Sequence, residues 1–202
     1  MKTSIALAAV AVGVFATPAF AQDASSNYVQ VNLGSSVSGE VDLGFDLNGA
    51  PPPGVISDEF DLETGVFGSV AAGAGVGGGF SFEGEVFYLD GGIEDADVDG
   101  TSYAVLFNGI YSFSAGSFSP YVGAGLGYGF VKYEEDGGFD ESDSGLTWQL
   151  KAGVTFPMSD TITWDIGYRY IDLPEFETTE GGIQTEAEAT AHVVSIGARF
   201  SF

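Results

Sequence analysis

The chain has 202 residues and a formal net charge of −24, set by 29 acidic residues against five lysines and arginines, with no cysteine. So few cations argue against a nucleic-acid partner, which needs clustered positive charge, and disulfides and thiol catalysis are excluded. Acidity of this degree accompanies disorder where apolar residues are scarce, but here they form 45% of the chain, so the charge must be confined to particular segments.

Met1-Lys2, the apolar run from Ile5 to Phe15 and the small-x-small triplet Ala19-Phe20-Ala21 read as a secretory signal peptide over 1–21, with Gln22 the new N-terminus. Gly13 and Pro18 interrupt the run, which is too short for a membrane helix. No later stretch approaches twenty consecutive apolar residues. The remaining 181 residues fit one domain and carry four cations, Lys132, Lys151, Arg169 and Arg199.

Period-two alternation then marks eight segments. The first, Tyr28 to Gly34, places Val29, Val31 and Leu33 on one side; the second, Thr64 to Ala74, places Val66, Val70 and Ala72. The third, Phe80 to Leu89, carries Phe80, Phe82, Val86 and Tyr88, and the fourth, Ser102 to Phe113, carries Tyr103, Val105, Phe107, Tyr111 and Phe113. In the fifth, Pro120 to Val131, the row is Val122, Ala124, Leu126, Tyr128 and Phe130; in the sixth, Leu146 to Phe156, it is Leu146, Trp148, Leu150, Ala152, Val154 and Phe156. The seventh, Thr161 to Tyr170, has Ile162, Trp164, Ile166, Tyr168 and Tyr170. The eighth, Ala189 to Phe202, ends with Val194, Ile196, Ala198, Phe200 and Phe202 opposite Ser195, Gly197, Arg199 and Ser201.

Connections alternate in length. Long acidic ones cover about 35–63, 90–101, 132–145 and 171–188; short ones lie near Gly75 to Gly79, Ser114 to Ser119 and Pro157 to Asp160. The rhythm predicts an all-β, eight-stranded antiparallel up-and-down transmembrane barrel, with tight periplasmic turns, long external loops and both termini on the periplasmic side. A soluble eight-stranded barrel of lipocalin type is the alternative, with the aromatic rows inside and the charges in water.

The row opposite the aromatics holds Glu83, Glu85, Asn108, Gln149, Lys151, Asp165, Arg169 and Arg199. Lipid outside puts these residues in a lumen just wide enough for side chains to fill. Charges there must pair, because an unpaired one costs several kcal/mol. The expected interior is therefore a plug of ion pairs and hydrogen bonds. Gly123, Gly125, Gly127 and Gly129 face inward on the fifth segment and are expected to leave room for arginine and aromatic side chains opposite.

The chain resembles the small outer-membrane barrel family that includes the OmpA membrane domain and opacity-type surface proteins. The likeness is carried by Phe80-Ser81-Phe82-Glu83-Gly84-Glu85, Leu106-Phe107-Asn108-Gly109-Ile110-Tyr111 and Pro120-Tyr121-Val122-Gly123-Ala124-Gly125-Leu126-Gly127-Tyr128, and by Gly167-Tyr168-Arg169-Tyr170 and the ending Gly197-Ala198-Arg199-Phe200-Ser201-Phe202. It covers nearly the whole mature chain. The resemblance implies that Val194, Ile196, Ala198, Phe200 and Phe202 match the terminal signal read by the barrel assembly machinery. It does not extend to the cell-wall anchoring of full-length OmpA, since no peptidoglycan-binding pattern follows.

Three motifs suggest chemistry. Asp95-x-Asp97-x-Asp99-Gly100 has the alternating carboxylates of a calcium loop, but Leu106 stands where an EF-hand places its bidentate Glu, so a solvated acidic loop is expected instead. His192 and Ser195 lie close in sequence, as a hydrolase base and nucleophile would, yet their odd spacing puts them on opposite faces of one strand. The glycines from Gly73 to Gly79 lack the Gly-Lys-Ser/Thr ending of a phosphate loop and read as a hairpin turn. The sequence thus predicts a non-catalytic, cofactor-free, monomeric barrel of the Gram-negative outer membrane, structural or adhesin-like, meeting lipid and lipopolysaccharide. A narrow porin-like channel for small solutes is the other reading.

Overall fold

The computed structural model describes residues 27–47, 59–61, 64–92, 98–135, 139–174, 176–180 and 183–202, with backbone alone for 40–47, 59–61, 92, 98–99, 133–135, 139–141, 176–180 and 183–188. The expected signal peptide and Pro51-Pro52-Pro53-Gly54 lie outside the described residues. Among the described residues ten strands follow one another: β1 (Asn27–Leu47), β2 (Glu59–Asp61), β3 (Val66–Gly77), β4 (Phe80–Gly92), β5 (Val98–Ser112), β6 (Ser119–Glu135), β7 (Phe139–Pro157), β8 (Ile162–Asp172), β9 (Phe176–Glu180) and β10 (Ile183–Ser201). Eight long strands pair antiparallel in chain order, and β1 closes on β10 to form a barrel. The short strands β2 and β9 add to β1 and β10 at the loop end.

The eight alternating segments are the eight long strands, and their parity holds along each. Phe107, Leu126, Leu150, Trp164, Ile166, Ile196 and Phe200 are exposed on the outside, while Glu83, Glu85, Asn108, Gln149, Lys151, Asp165 and Arg169 are buried within. Such an outer surface is costly in water and suited to acyl chains. Tight turns join the other end. Gly77, Gly78 and Gly79 all have φ between 62° and 93°, the left-handed region open to glycine at little cost, which is what the β3–β4 hairpin demands.

Aromatic rings gather in two bands on the outer wall. Tyr88 packs on Tyr103, Tyr128 on Phe130, and Trp148 on Tyr170 toward the loop end. Phe80 with Tyr111, Tyr111 with Phe113, and Phe118 with Phe156 mark the turn end. Phe80 and Tyr88, or Trp148 and Phe156, stand eight residues apart on one strand. At about 3.3 Å per residue and the usual barrel tilt, the bands are separated by roughly 20 Å, close to the apolar height of outer-membrane barrels.

The strands run on past the ends assigned from sequence. β1 and β10 stay paired up to Leu47 opposite Ile183, whereas β3 ends at Val66 opposite Ser35 and β8 ends at Asp172 opposite Thr190. The physical reason is visible in the residues. Val41, Leu43, Phe45 and Leu47 alternate with Glu40, Asp42, Gly44 and Asp46, a period-two pattern that continues a strand even where the polar partner is acidic. Acidity marks segments that leave the apolar band, not segments that leave the sheet.

Candidate functional site

Neighbouring strands aim their inward rows at one another across the lumen. From β4 come Glu83 and Glu85, from β5 Asn108, from β7 Gln149 and Lys151, and from β8 Arg169, all but 4% or less buried. Lys151 Nζ stands 2.5 Å from Glu83 Oε1 and 3.3 Å from Glu85 Oε2. Arg169 Nη1 reaches Glu85 Oε1 at 2.5 Å. Asn108 Nδ2 donates to both carboxylates, at 3.1 Å to Glu83 and 2.8 Å to Glu85. Gln149 Nε2 donates to Glu85 Oε2 and to Asn108 Oδ1, each at 2.8 Å. The Arg169 guanidinium also lies 4.7 Å over the Phe67 ring, an arrangement that favours a desolvated cation.

Unlike buried Asp165, which among the described residues meets neither, Glu83 and Glu85 each therefore meet at least one cation and one amide donor. That is the condition under which buried charge is tolerated, since desolvation otherwise outweighs the attraction. Across the interior, Glu83, Glu85 and Asp165 are matched in number by Lys151, Arg169 and Arg199.

Two of the residues assigned to the lumen stand apart from this cluster. Arg199 is half-buried toward the turn end, where its Nε donates to Gln30 Oε1 at 2.8 Å and its guanidinium covers the Tyr28 ring at 4.1 Å. Asp165 accepts a hydrogen bond from the Tyr121 hydroxyl at 3.3 Å. A chain of amides and hydroxyls continues this layer: Gln30 donates to Asn32, and Asn32 to Ser69, while the Tyr28 hydroxyl donates to Glu83.

Sequence reasoning missed Tyr28, Gln30, Asn32, Ser69 and Tyr121. Gln30 and Asn32 were legible from parity, because they alternate with Val29, Val31 and Leu33. Tyr28 and Tyr121 were obscured by residue type, since an aromatic in such a chain suggests lipid.

The loop-end third of the lumen is not ionic. Phe67, Phe87, Leu89, Ala104, Leu106, Val131, Ile171, Leu173, Ala189, Ala191 and Val193 form one buried apolar cluster. The inward glycines of β6 also serve other neighbours than expected. A Cβ on Gly125 would collide with Asn108 and crowd Gln149, and one on Gly129 would meet Thr147 and Pro174. They make room for amides and a proline, not for arginine or aromatic rings. Aromatic accommodation falls to other glycines: Gly73 lies against Tyr28, and Gly153 and Gly167 lie against the Tyr121 hydroxyl.

On the outside, His192 contacts the Tyr168 hydroxyl through Nδ1 and stands edge-on to the Tyr170 ring at 5.3 Å. Ser195 is buried on the lumen side. The two lie on opposite faces of β10 and do not form a nucleophile and base. Of the calcium-like spacing, Asp95 and Asp97 lie outside the described residues and Asp99 belongs to β5. The terminal residues Val194, Ile196 and Phe200 face outward, Ala198 is half-exposed, and the Phe202 amide donates to Asn27 O at 3.0 Å, tying the chain end to β1.

A closed eight-stranded barrel, apolar outside and charge-paired inside, defines the class of small β-barrels that cross an outer membrane. The family model described as outer membrane protein beta-barrel domain matches residues 7–202, and the chain belongs to that family. Membership implies a Gram-negative outer-membrane location. Among solved structures, the chain is similar to Neisserial surface protein A, at 20% identity and a TM-score of 0.60, covering 90% of this chain and 100% of that one. It is also similar to the outer membrane protein OprG from Pseudomonas aeruginosa, at 12% identity and a TM-score of 0.54, covering 88% and 96%. Both likenesses concern the fold. No curated protein sequence matches the chain.

Proposed function

We propose that the protein is a non-catalytic, monomeric surface barrel whose lumen is held shut by its own ion pairs, and that it serves envelope integrity or adhesion. One observation carries this reading: the buried Glu83–Lys151–Glu85–Arg169 cluster crosses the lumen with every charge met by an opposite one. A continuous water path needs an inner wall whose polar groups face solvent, and here they face each other. The apolar cluster stacked on the loop-end side adds a second obstruction. The separation of His192 from Ser195 supports the non-catalytic part of the reading. On this reading the chain is processed after Ala21, the assembly machinery reads the strand ending in Phe202, and the acidic loops meet lipopolysaccharide through bridging divalent cations.

Planar-bilayer recording of the purified, heat-modifiable barrel tests the closed lumen. The expected record is a flat baseline with rare, brief events. Stable conductance steps carried by the native protein would overturn the closed barrel in favour of a narrow channel for small solutes.

A further inference from the structure

Three oxygens converge on one spot of the inner wall, on the turn-end side of the ion-paired cluster. Asp165 and Gly167 follow each other on the inward row of β8, and Gly167 lies between Gly153 of β7 and Ser195 of β10. Tyr121 reaches the same place from β6. A Cβ on Gly167 would stand 2.6 Å from Tyr121 Oη, 3.3 Å from Asp165 Oδ1 and 3.7 Å from Ser195 Oγ. The glycine therefore keeps open a space whose walls are a carboxylate and two hydroxyls.

Those walls are buried and incompletely satisfied. Asp165 is 1% exposed and Ser195 3%. Among the described residues, Asp165 Oδ2 and Ser195 Oγ have no hydrogen-bond partner, and the carboxylate is held only by the Tyr121 hydroxyl at 3.3 Å. The ion pairs of the lumen belong to Glu83 and Glu85, and Arg199 is engaged by Gln30 and the Tyr28 ring. A buried carboxylate without a cation in contact is costly.

We propose that Asp165, Tyr121 and Ser195 bind a small monovalent cation of the sodium type beside Gly167. A proton on Asp165 would neutralise the carboxyl but leave the serine oxygen unmet. A water molecule would meet the serine but leave the charge. A hard cation answers both, because it takes several oxygen ligands and one negative charge together. The single carboxylate selects against calcium and magnesium, which draw on more acidic oxygen; among the described residues no group of three acidic, histidine or cysteine side chains gathers for a divalent ion. Asp165 lies three residues into β8 from Ile162, about 10 Å along the strand from the turn end, so the cation enters there without crossing the Glu83–Lys151–Glu85–Arg169 cluster. The site depends neither on the role in the envelope nor on the closed lumen.

The test is urea unfolding of the full chain in phosphatidylcholine vesicles, with sodium chloride replaced stepwise by N-methylglucamine chloride at constant ionic strength. Raising sodium from 1 to 300 mM should increase the folded-to-unfolded ratio of the native protein about fivefold or more. Asp165→Asn keeps the shape and every acidic loop residue, and should lose the response. Ser195→Ala keeps the charge, folds with less risk, and should need at least threefold more sodium for half the effect. A native protein indifferent to sodium would overturn the site. So would a native-like response in Asp165→Asn, which would assign the sodium effect to the acidic loops, or in Ser195→Ala.

Discussion

Arg169→Met is expected to destabilise the folded barrel by about 3–5 kcal/mol, the loss typical when one partner of a buried ion pair is removed. Arg169 is 2% exposed and contacts Glu85 Oε1 at 2.5 Å. Without it, Lys151 must neutralise both Glu83 and Glu85 while standing 2.5 Å from one and 3.3 Å from the other. The surplus negative charge cannot reach water, and the Phe67 ring loses the cation above it. Urea titration of protein folded in lipid vesicles reads the change. The double variant Arg169→Met, Glu85→Gln should recover most of the loss, because the interior is again neutral and Gln149 and Asn108 retain an amide oxygen to donate to. A single variant within 1 kcal/mol of the native protein would show that the pair is solvated, and the lumen open.

The second large effect is on the outside. Leu126 is 56% exposed and lies about midway between the aromatic bands, opposite Phe107 on β5. Leu126→Arg should cost about 2–4 kcal/mol in a bilayer, whereas Val37→Arg, at the loop-end bulge of β1, should cost about 0–1 kcal/mol. The difference arises from depth alone, since both side chains point away from the lumen and both are more than half exposed. On a barrel bathed in water the two substitutions would be equally mild. Vesicle folding titrations of the two variants side by side separate these cases.

What the sequence discloses, and what it withholds, follows from the geometry of a strand. Alternation assigns a face to each residue locally, so the outward rows of β4 to β8 and β10 and the inward positions of Glu83, Glu85, Asn108, Gln149, Lys151, Asp165 and Arg169 are readable without coordinates. Which charge meets which is not local. Arg169 and Glu85 are 84 residues apart, and their meeting depends on the register of every strand between them and on the stagger of closure. That is why Arg199 was assigned to the charged interior yet rests on Tyr28 and Gln30.

Residue type misled where parity would have corrected it. Phe67, Phe87, Leu89 and Leu106 are apolar and face inward, building the upper lumen. They sit one position out of step with rows already assigned to lipid, and position, not character, settles their direction. The strand continuations were hidden for the opposite reason. Acidic residues along β1 above Glu40 look like a solvated loop, but the apolar residues between them keep the pleat.

The account depends on lipid touching the aromatic rows, and the two tryptophans offer the most direct measurement. Trp164 is 41% exposed on the outer wall and Trp148 packs on Tyr170 in the loop-end band; the chain has no other tryptophan. In vesicles whose acyl chains carry bromine, the intrinsic fluorescence of the folded protein should be strongly quenched, while a water-soluble quencher such as iodide has little effect. Emission untouched by brominated chains but quenched by iodide would place those rings in water and contradict the membrane-spanning barrel.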